Sequence, residues 1–419
     1  VPVTGGPPDQ GADAGLLRAV SCLFPPDACR IGVAVSGGGD SMALLHLLHR
    51  AAAQRGFALS AVTVDHRLRP ESAAEAAGVA AFCASLGVAH DTLVWDHGPI
   101  PGNLMDQARR ARIALMADWA QARGIGHIAL GHTADDQAET FLMGLARASG
   151  LDGLSGMRHL WHEAGVWWGR PLLDQSRAQL RAYLGRQAIG WIDDPTNDDI
   201  RRERTRARRA LAALAPLGIT ADRLAITCAN LAMAQSTLQD ATHKAANEVA
   251  RECCGALDID RAGLAGLPQE LRRRLLITAI RWMNGAAKPL REDKLAVLQG
   301  ALSAGRDATL GGVRFRPQGG QIKVTREARA VMGPVPVGGV WDHRWQVVGP
   351  AVPDARIAAL GADGLRQCPD WRRHGPREAL IVSPALWLDR RLIAAPLAGL
   401  GPEWQASLGP TFTSFILSH

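Results

Sequence analysis

No two cysteines in this chain stand at C-x-x-C spacing. The seven that occur, Cys22, Cys29, Cys83, Cys228, Cys253, Cys254 and Cys368, are odd in number. That argues against a disulfide framework, a zinc ribbon and a thioredoxin-like redox site, and it fits a reducing, cytoplasmic setting. No apolar run approaches the ~20 residues of a spanning helix. The first residues show no basic region leading into an apolar stretch, so neither a membrane partner nor a signal peptide is expected. What the chain does have is length and positive charge. Its 419 residues suggest two or three domains. Its formal net charge of +7 is carried mostly by arginine. That balance permits a polyanionic partner such as nucleic acid, although an arginine- and alanine-rich composition alone would give the same number.

Residues 1–15 are rich in Gly, Pro and Asp and read as a loose tail. From 16 to about 215 strand-like and helix-like segments alternate. Strands are expected at Ile31–Val35, Leu59–Val64, Asp91–Trp95 and His127–Leu130. Helices are expected at Asp40–Arg55, Glu71–Leu86, Asn103–Arg123 and Asp135–Ala146. This rhythm predicts an α/β fold built on a doubly wound parallel sheet. Residues 216–332 look mostly helical, with the clearest helix at Gln269–Met283 and a closing hairpin, Thr309–Arg316 and Gln321–Thr325, around Gln318-Gly319-Gly320. Residues 333–340 read as a linker, and 341–419 as a small α+β module.

The stretch IGVAVSGGGDSMALLHLL, residues 31–48, joins an apolar strand to a helix through three consecutive glycines. A loop at a strand's C-terminal end that feeds a helix is a ready anion site. The first helical turn has unpaired N–H groups, and its dipole favours negative charge. Glycines let the backbone approach phosphate oxygens, and Ser36 and Ser41 add hydroxyls. The Walker A lysine is missing and Asp40 is present instead. A carboxylate beside phosphate needs a cation between them, so Asp40 implies Mg²⁺. The pattern resembles the pyrophosphate loop of the N-type ATP pyrophosphatases, which split ATP into AMP and pyrophosphate. The plainer reading of Gly37, Gly38 and Gly39 is an ordinary tight turn.

LGHTADDQAET, residues 130–140, sits at another strand-to-helix junction, with His132, Asp135, Asp136 and Glu139. In a doubly wound sheet such junctions share the edge where ligands bind. Asp136 and Glu139 are i and i+3 on one helix face and could hold Mg²⁺ or an ammonium. A helix-capping cluster is the alternative, above all for Asp135. Asp65 and His66, in VDHRLRPES after the second strand, are candidates to meet a ribose. Pro70 fits the turn that follows. Arg109 and Arg112 would project together from the helix after Asn103, suited to phosphate. An Asp194-Pro195-Thr196-Asn197 turn precedes six arginines between 201 and 209, among them Arg204 and Arg208. A polyanionic second substrate and a solvated basic helix are both open readings of that cluster.

SGGGDS, VDHRLRPES, GHTADDQAET, GLSGM, RPLL and WIDDPTND occur in one order between 36 and 198. Together they resemble the tRNA(Ile)-lysidine synthetase family, over about 20–210 and more weakly beyond. The resemblance implies a reaction in which ATP adenylates C2–O of the wobble cytidine in the CAU-anticodon isoleucine tRNA. The ε-amine of free L-lysine then displaces AMP. It implies that Ser36, Gly37, Gly38, Gly39, Asp40 and Ser41 bind ATP, to which the position of Asp65 after the second strand adds a further expected ATP contact. Asp40 and Asp136 would face Mg²⁺, Arg112 would serve the reacting phosphate, Asp136 and Glu139 would read lysine, and His132 would belong to the catalytic set. It also suggests a homodimer. Arg204, Arg208, Arg272, Arg273, Arg274 and Arg281 are expected to meet tRNA phosphates.

Three positions depart from the family pattern. Thr133 replaces a second histidine, Arg67 replaces a glycine, and Met105 replaces a glutamate. The rival readings are another pyrophosphate-loop enzyme, such as a 2-thiocytidine-type thiolase or a glutamine-dependent synthetase, and a non-catalytic RNA-binding protein. The first would need a C-x-x-C, which does not occur in this sequence, and the second a glutaminase domain or an ammonia supply, for which no room is expected ahead of the loop. Intact Asp40, Arg112, Asp136 and Glu139 speak against the third.

Overall fold

The computed structural model describes residues 10–67, 71–97, 104–193, 201–285 and 290–418. The turns expected at Pro70 and at Asp194-Pro195-Thr196-Asn197, the helix start at Asn103, the side chain of Met105 and residues 1–9 of the expected tail lie outside that description. The chain divides into two compact units, Val1–Gln235 and Ser236–His419. No single helix among the described residues is long and apolar enough to cross a membrane.

The first unit opens with α1 (Gln10–Cys22), then β1 (Arg30–Ala34), α2 (Gly39–Arg55), β2 (Ala58–Asp65), α3 (Ser72–Ser85) and β3 (Ala89–Val94). It continues through α4 (Leu104–Ala122), β4 (His127–Leu130), α5 (Ala134–Ala146) and the short α6 (Leu151–Leu154). A hairpin of β5 (Leu160–Glu163) and β6 (Val166–Gly169) leads to α7 (Arg177–Arg186), α8 (Glu203–Leu214) and α9 (Ala221–Val249), which runs on into the second unit. The strands lie in the order β3-β2-β1-β4-β6-β5. All neighbours are parallel except β5 on β6. The order reverses between β1 and β4, which places a crevice beyond their C-terminal ends.

Burial on both faces explains the near-continuous apolar strands. On one face Leu44, Leu45, Leu47 and Leu48 of α2 pack with Leu16 and Val20 of α1, Val79 of α3 and Leu180 and Leu184 of α7. On the other, Met116 and Trp119 of α4 cover Ile128 of β4 and Trp168 of β6. Gly32 permits that contact, because a Cβ there would stand 2.9 Å from the Trp119 ring.

The expected tail through residue 15 is corrected. The helix starts at Gln10, and Asp13 on it is buried. Its carboxylate accepts from Arg186 at 2.8 Å, Gln187 at 3.3 Å and Arg50 at 3.4 Å. Beside it the buried Tyr183 hydroxyl meets His46 Nδ1 at 2.7 Å. Gly and Asp suggested a flexible tail, but Asp13 is a counter-charge that ties α1 to α2 and α7. The hairpin at 160–169 was not expected. Trp167 and Trp168 hide a period of two, with Trp168 fully buried and Trp167 exposed, and Ala164 and Gly165 turn through positive φ.

The second unit contains a five-stranded antiparallel sheet of Ala250–Cys253, Ala256–Asp260, Gln321–Arg326, Val313–Gln318 and Ala308–Leu310. The first two strands correct the expectation that this part of 216–332 is helical. The expected hairpin is present around Gly319 and Gly320, both at positive φ. Its first strand is broken by Gly311 and Gly312 at φ +61° and +73°. The helix Gln269–Asn284 packs on this sheet, and its core includes Phe412 and Ile416 of the last helix, Phe412–Ser418. Residues 216–332 and 341–419 therefore share a core instead of standing apart. The expected linker contributes a strand, Val335–Pro336, to a second sheet with Arg356–Ala359, Pro384–Leu388 and Arg391–Ala394.

Candidate active site

A cavity of about 660 Å³ opens at the β1/β4 crevice. The loop after β1 forms one wall, with Ser36, Gly38, Gly39, Asp40 and Ser41 lining it. Gly37 turns the chain at φ +84°, its carbonyl accepts from Ile192 N–H at 3.0 Å, and a Cβ would strike Ile192. Ser41 is used internally. Its hydroxyl donates to the Gly38 carbonyl at 2.9 Å and accepts from Ser36 N–H at 3.1 Å. Gly131, after β4, is needed for a different reason. A Cβ there would stand 3.0 Å from Ser41 Cα and 3.1 Å from Ser41 N. The two junction loops touch backbone to backbone.

Asp40 is the second residue of α2. Its Oδ2 accepts from Arg177 Nε at 3.0 Å, and its Oδ1 is buried without a partner. Burial pushes its carboxyl above the ordinary range, against the pull of Arg177. Asp136 closes the capping box of α5, where its Oδ2 accepts from Thr133 N–H at 2.9 Å and the Thr133 hydroxyl at 3.0 Å. Thr133 is thus a buried N-cap. The capping role considered for Asp135 falls to Asp136 within this helix. Asp135 instead accepts from the Arg177 backbone N–H at 2.7 Å. Burial would raise the Asp136 carboxyl, but Arg177, the Thr133 N–H and Arg204 together hold it below its usual value.

Arg177 was not singled out from the sequence, and it organises the site. Its guanidinium lies 3.0 Å from Asp40, 3.4 Å from Asp136 and 3.6 Å from Glu139. These contacts push its pKa further up despite burial. Its place is fixed by the Ser176–Gln179 capping box of α7, by Asp135 and by the Gln175 carbonyl, which accepts from Ala134 N–H at 2.9 Å. The S-x-x-Q pattern after RPLL was the available signal for a helix starting there.

Glu139 has no exposed surface and does not line the cavity. Arg208 Nε sits on its Oε1 at 2.5 Å, while Oε2 is buried without a partner. Arg204, one turn earlier on α8, lies 3.7 Å from Asp136. Both arginines line the cavity. Arg272, Arg273 and Arg274 lie in the other unit, on the helix Gln269–Asn284. Arg273 pairs with Glu292 and Glu270, Arg274 pairs with Glu270, and Arg272 donates to the Leu267 carbonyl.

Arg112 also lines the cavity, with a buried Nε that lacks a partner. Burial, then Arg109 and Arg204, lowers its pKa. His132 Nδ1 accepts from Arg170 Nε at 3.2 Å. Burial, reinforced by Arg170, pushes its pKa down to about 3. It is therefore neutral near pH 7, with its proton on Nε2. Arg170 is held by the Arg158 carbonyl at 2.8 Å and stacks 4.0 Å over the Trp161 ring. Of the two ribose candidates, His66 lines the cavity, with a buried, unpartnered Nδ1. Asp65 does not line it. Its Oδ1 accepts from Arg67 N–H at 2.8 Å, and that bond, with Ser72, holds the carboxyl low. Arg67 is at φ +51°, the left-handed geometry that suits the family's glycine there.

Five arginines and three aspartates face one cavity, which favours a polyanion while reserving carboxylates for a cation. No group of three or more His, Cys, Asp or Glu able to hold a metal occurs among the described residues. A magnesium ion on phosphates needs only one or two protein carboxylates. The orphaned Asp40 Oδ1 is a fitting hard donor.

A PP-loop domain model matches residues 16–215. A tRNA(Ile)-lysidine synthase from Ruegeria pomeroyi is 47% identical over 96% of this chain and 97% of that protein. One from Hyphomonas neptunium is 41% identical over 74% and 83%, and one from Brucella anthropi 36% over 90% and 88%. Among solved structures, a U34-tRNA thiolase from Methanococcus maripaludis overlays 53% of this chain and 78% of its own at 15% identity and TM-score 0.46, too distant to bear on the chemistry.

Proposed function

The chain belongs to the tRNA(Ile)-lysidine synthase family, and from that premise we propose how its cavity carries out the reaction. The protein is an ATP-using ligase that forms lysidine on tRNA(Ile). The thiolase and non-catalytic readings are not favoured by these relatives. We assign as substrates Mg-ATP, free L-lysine and the CAU-anticodon isoleucine tRNA, modified at its wobble cytidine. The observation that carries this reading is a single cavity in which an anion-cradling loop faces the Asp136 carboxylate, itself 3.4 Å from Arg177.

The backbone from Ser36 to Ser41 receives the pyrophosphate end of ATP, with Ser41 shaping the loop. Asp40, through Oδ1, with Asp136 beside it, would hold Mg²⁺, which supplies charge neutralisation on the phosphates. Arg112 stabilises charge at the reacting phosphate. His66, in place of Asp65, faces the nucleoside. Neutral His132 offers its Nε2 proton as a donor to the oxygen being activated. The ε-ammonium of lysine, with a reference pKa near ~10.4, must lose a proton before it attacks C2. An ionised carboxylate of the Asp136–Glu139 pair orients it and helps accept that proton. Residues 216–332 and 341–419 are assigned to gripping the tRNA, and a cytoplasmic homodimer completes the proposal.

The test uses purified protein, Mg-ATP, radiolabelled lysine and unmodified isoleucine tRNA transcript, with methionine tRNA as control. Label should enter the isoleucine tRNA alone and be lost in Asp40→Ala. An ATP-binding protein that labels neither tRNA would sink the reading.

A further inference from the structure

Glu139 presents a difficulty for any reading in which it meets the amine substrate. Its carboxylate is fully buried, and the groups on it are Arg208 at 2.5 Å and Arg177 at 3.6 Å. Both of those arginines line the cavity and Glu139 does not. An incoming ammonium therefore reaches Glu139 only by displacing a guanidinium. The vacant acceptor is already built, since Oε2 is buried and unpartnered. Arg177 is fixed by its own backbone and by two other carboxylates. Arg208 is held otherwise. It projects from α8, is about one-third exposed, and follows Arg204, which reaches Asp136 only at 3.7 Å. These are the two α8 guanidinium groups that face a cavity suited to polyanions.

We propose that Arg208, assisted by Arg204, is a positioning residue that stands in for the amine on Glu139 until RNA phosphate draws it away, so that tRNA binding and lysine binding reinforce each other. The proposal rests on the reading above that the amine is lysine and the polyanion tRNA. Guanidinium binds phosphate bidentately as well as it binds carboxylate, and the Glu139 carboxylate is already shared with Arg177. Once Arg208 turns to phosphate, Glu139 keeps only the Arg177 guanidinium at 3.6 Å, which it shares with Asp40 and Asp136. An ammonium of similar reach restores the balance. The coupling is reciprocal, so lysine must tighten tRNA by the factor by which tRNA tightens lysine.

The experiment is equilibrium dialysis of radiolabelled L-lysine against the full-length protein with a non-hydrolysable ATP analogue, with and without unmodified CAU-anticodon tRNA(Ile). Coupling of ordinary size predicts that tRNA tightens lysine about 5- to 150-fold in the wild type. Arg208→Gln should bind lysine without tRNA more tightly than the wild type does, with most of the coupling lost. Arg208→Lys should keep it. A structural role alone would weaken lysine binding in Arg208→Gln in both conditions. That result, or wild-type coupling retained in Arg208→Gln, overturns the proposal. Equal wild-type affinity with and without tRNA overturns it too, while leaving the lysidine reaction intact if label still enters the tRNA. Absence of lysine binding in either condition, together with no labelling, overturns both readings.

Discussion

Replacing Arg177 by glutamine removes one cation from three carboxylates. The guanidinium lies 3.0, 3.4 and 3.6 Å from Asp40, Asp136 and Glu139, and only about a fifth of its side chain is exposed. Removing one partner of a buried ion pair costs about 3–5 kcal/mol, because the remaining charge is left uncompensated. The cost depends on pH in a fixed direction. Asp40 already titrates above the ordinary carboxylate range through burial. A carboxyl raised in the folded state favours folding while protonated and loses that contribution as pH rises through its folded pKa. Without Arg177, Asp40 rises further, since Asp136 and Asp135 also push it up. Asp136, held low in the wild type by Arg177 among others, loses its largest counter-charge. Its wild-type contribution is present above the unfolded carboxylate pKa, so it is constant between pH 5 and 8. The variant's deficit should therefore be about 3–5 kcal/mol near pH 8 and smaller at pH 5, because a carboxyl raised further by loss of Arg177 takes up its proton more readily as pH falls. Urea unfolding by tryptophan fluorescence at both pH values measures this, following the transition that ATP shifts. Deficits equal at the two pH values, or below about 1 kcal/mol at pH 8, would refute the argument, because the guanidinium would then not be what keeps these acids ionised.

Arg67→Gly should stabilise the protein by up to about 1 kcal/mol, relief of a left-handed backbone at φ +51° exceeding the added chain entropy. A lowered melting temperature would contradict it. Tyr183→Phe should cost about 1–3 kcal/mol by leaving His46 Nδ1 without its buried partner; an unchanged urea midpoint would show that this bond contributes nothing. Gly131→Ala should weaken ATP at least about tenfold, worth about 1.4 kcal/mol, while the fold persists, because the added methyl presses on Ser41; calorimetric titration reads it. The His132 imidazole, at about 3, should show no protonation between pH 5 and 8 by NMR. A titration in that window would place charge where a neutral donor is argued.

The alternation of apolar strands with periodic helices made the sheet legible in the sequence, and the glycine loop marked the ligand edge. Asp40, Arg112, Asp136 and His132 were recognisable because each sits at a junction with a distinctive neighbourhood. Arg177 was not, since one arginine at a helix start resembles any solvated charge until the fold brings α5 and α2 to it. Asp65 and His66 were read as a pair, and only backbone geometry separates them. The Asp65 carboxylate is spent on the Arg67 N–H, which leaves His66 to face the cavity. Arg204 and Arg208 illustrate the opposite limit. Their basic patch was visible, but its counter-charges lay some seventy residues upstream, as the Arg208–Glu139 separation of 69 shows. The hairpin at 160–169 and the strands at 250–260 are too short for pattern alone.

The Asp13–Arg186 pair bears on how the protein is made. Those residues are 173 positions apart, so this contact on the first helix forms only after every strand of the sheet, the last ending at Gly169, has been made. Loop-closure entropy for so long a segment must be met before the contact contributes anything. Leu16 and Val20 can pack on α2 much earlier, helped by the Arg50–Asp13 contact across only 37 positions. The Arg186 contact is therefore the late one, and it reports that α7, which carries Arg177 into the cavity, has docked. A chain interrupted before residue 186 would leave the buried Asp13 carboxylate without its Arg186 and Gln187 partners, so its first helix would be held less firmly than in a finished copy.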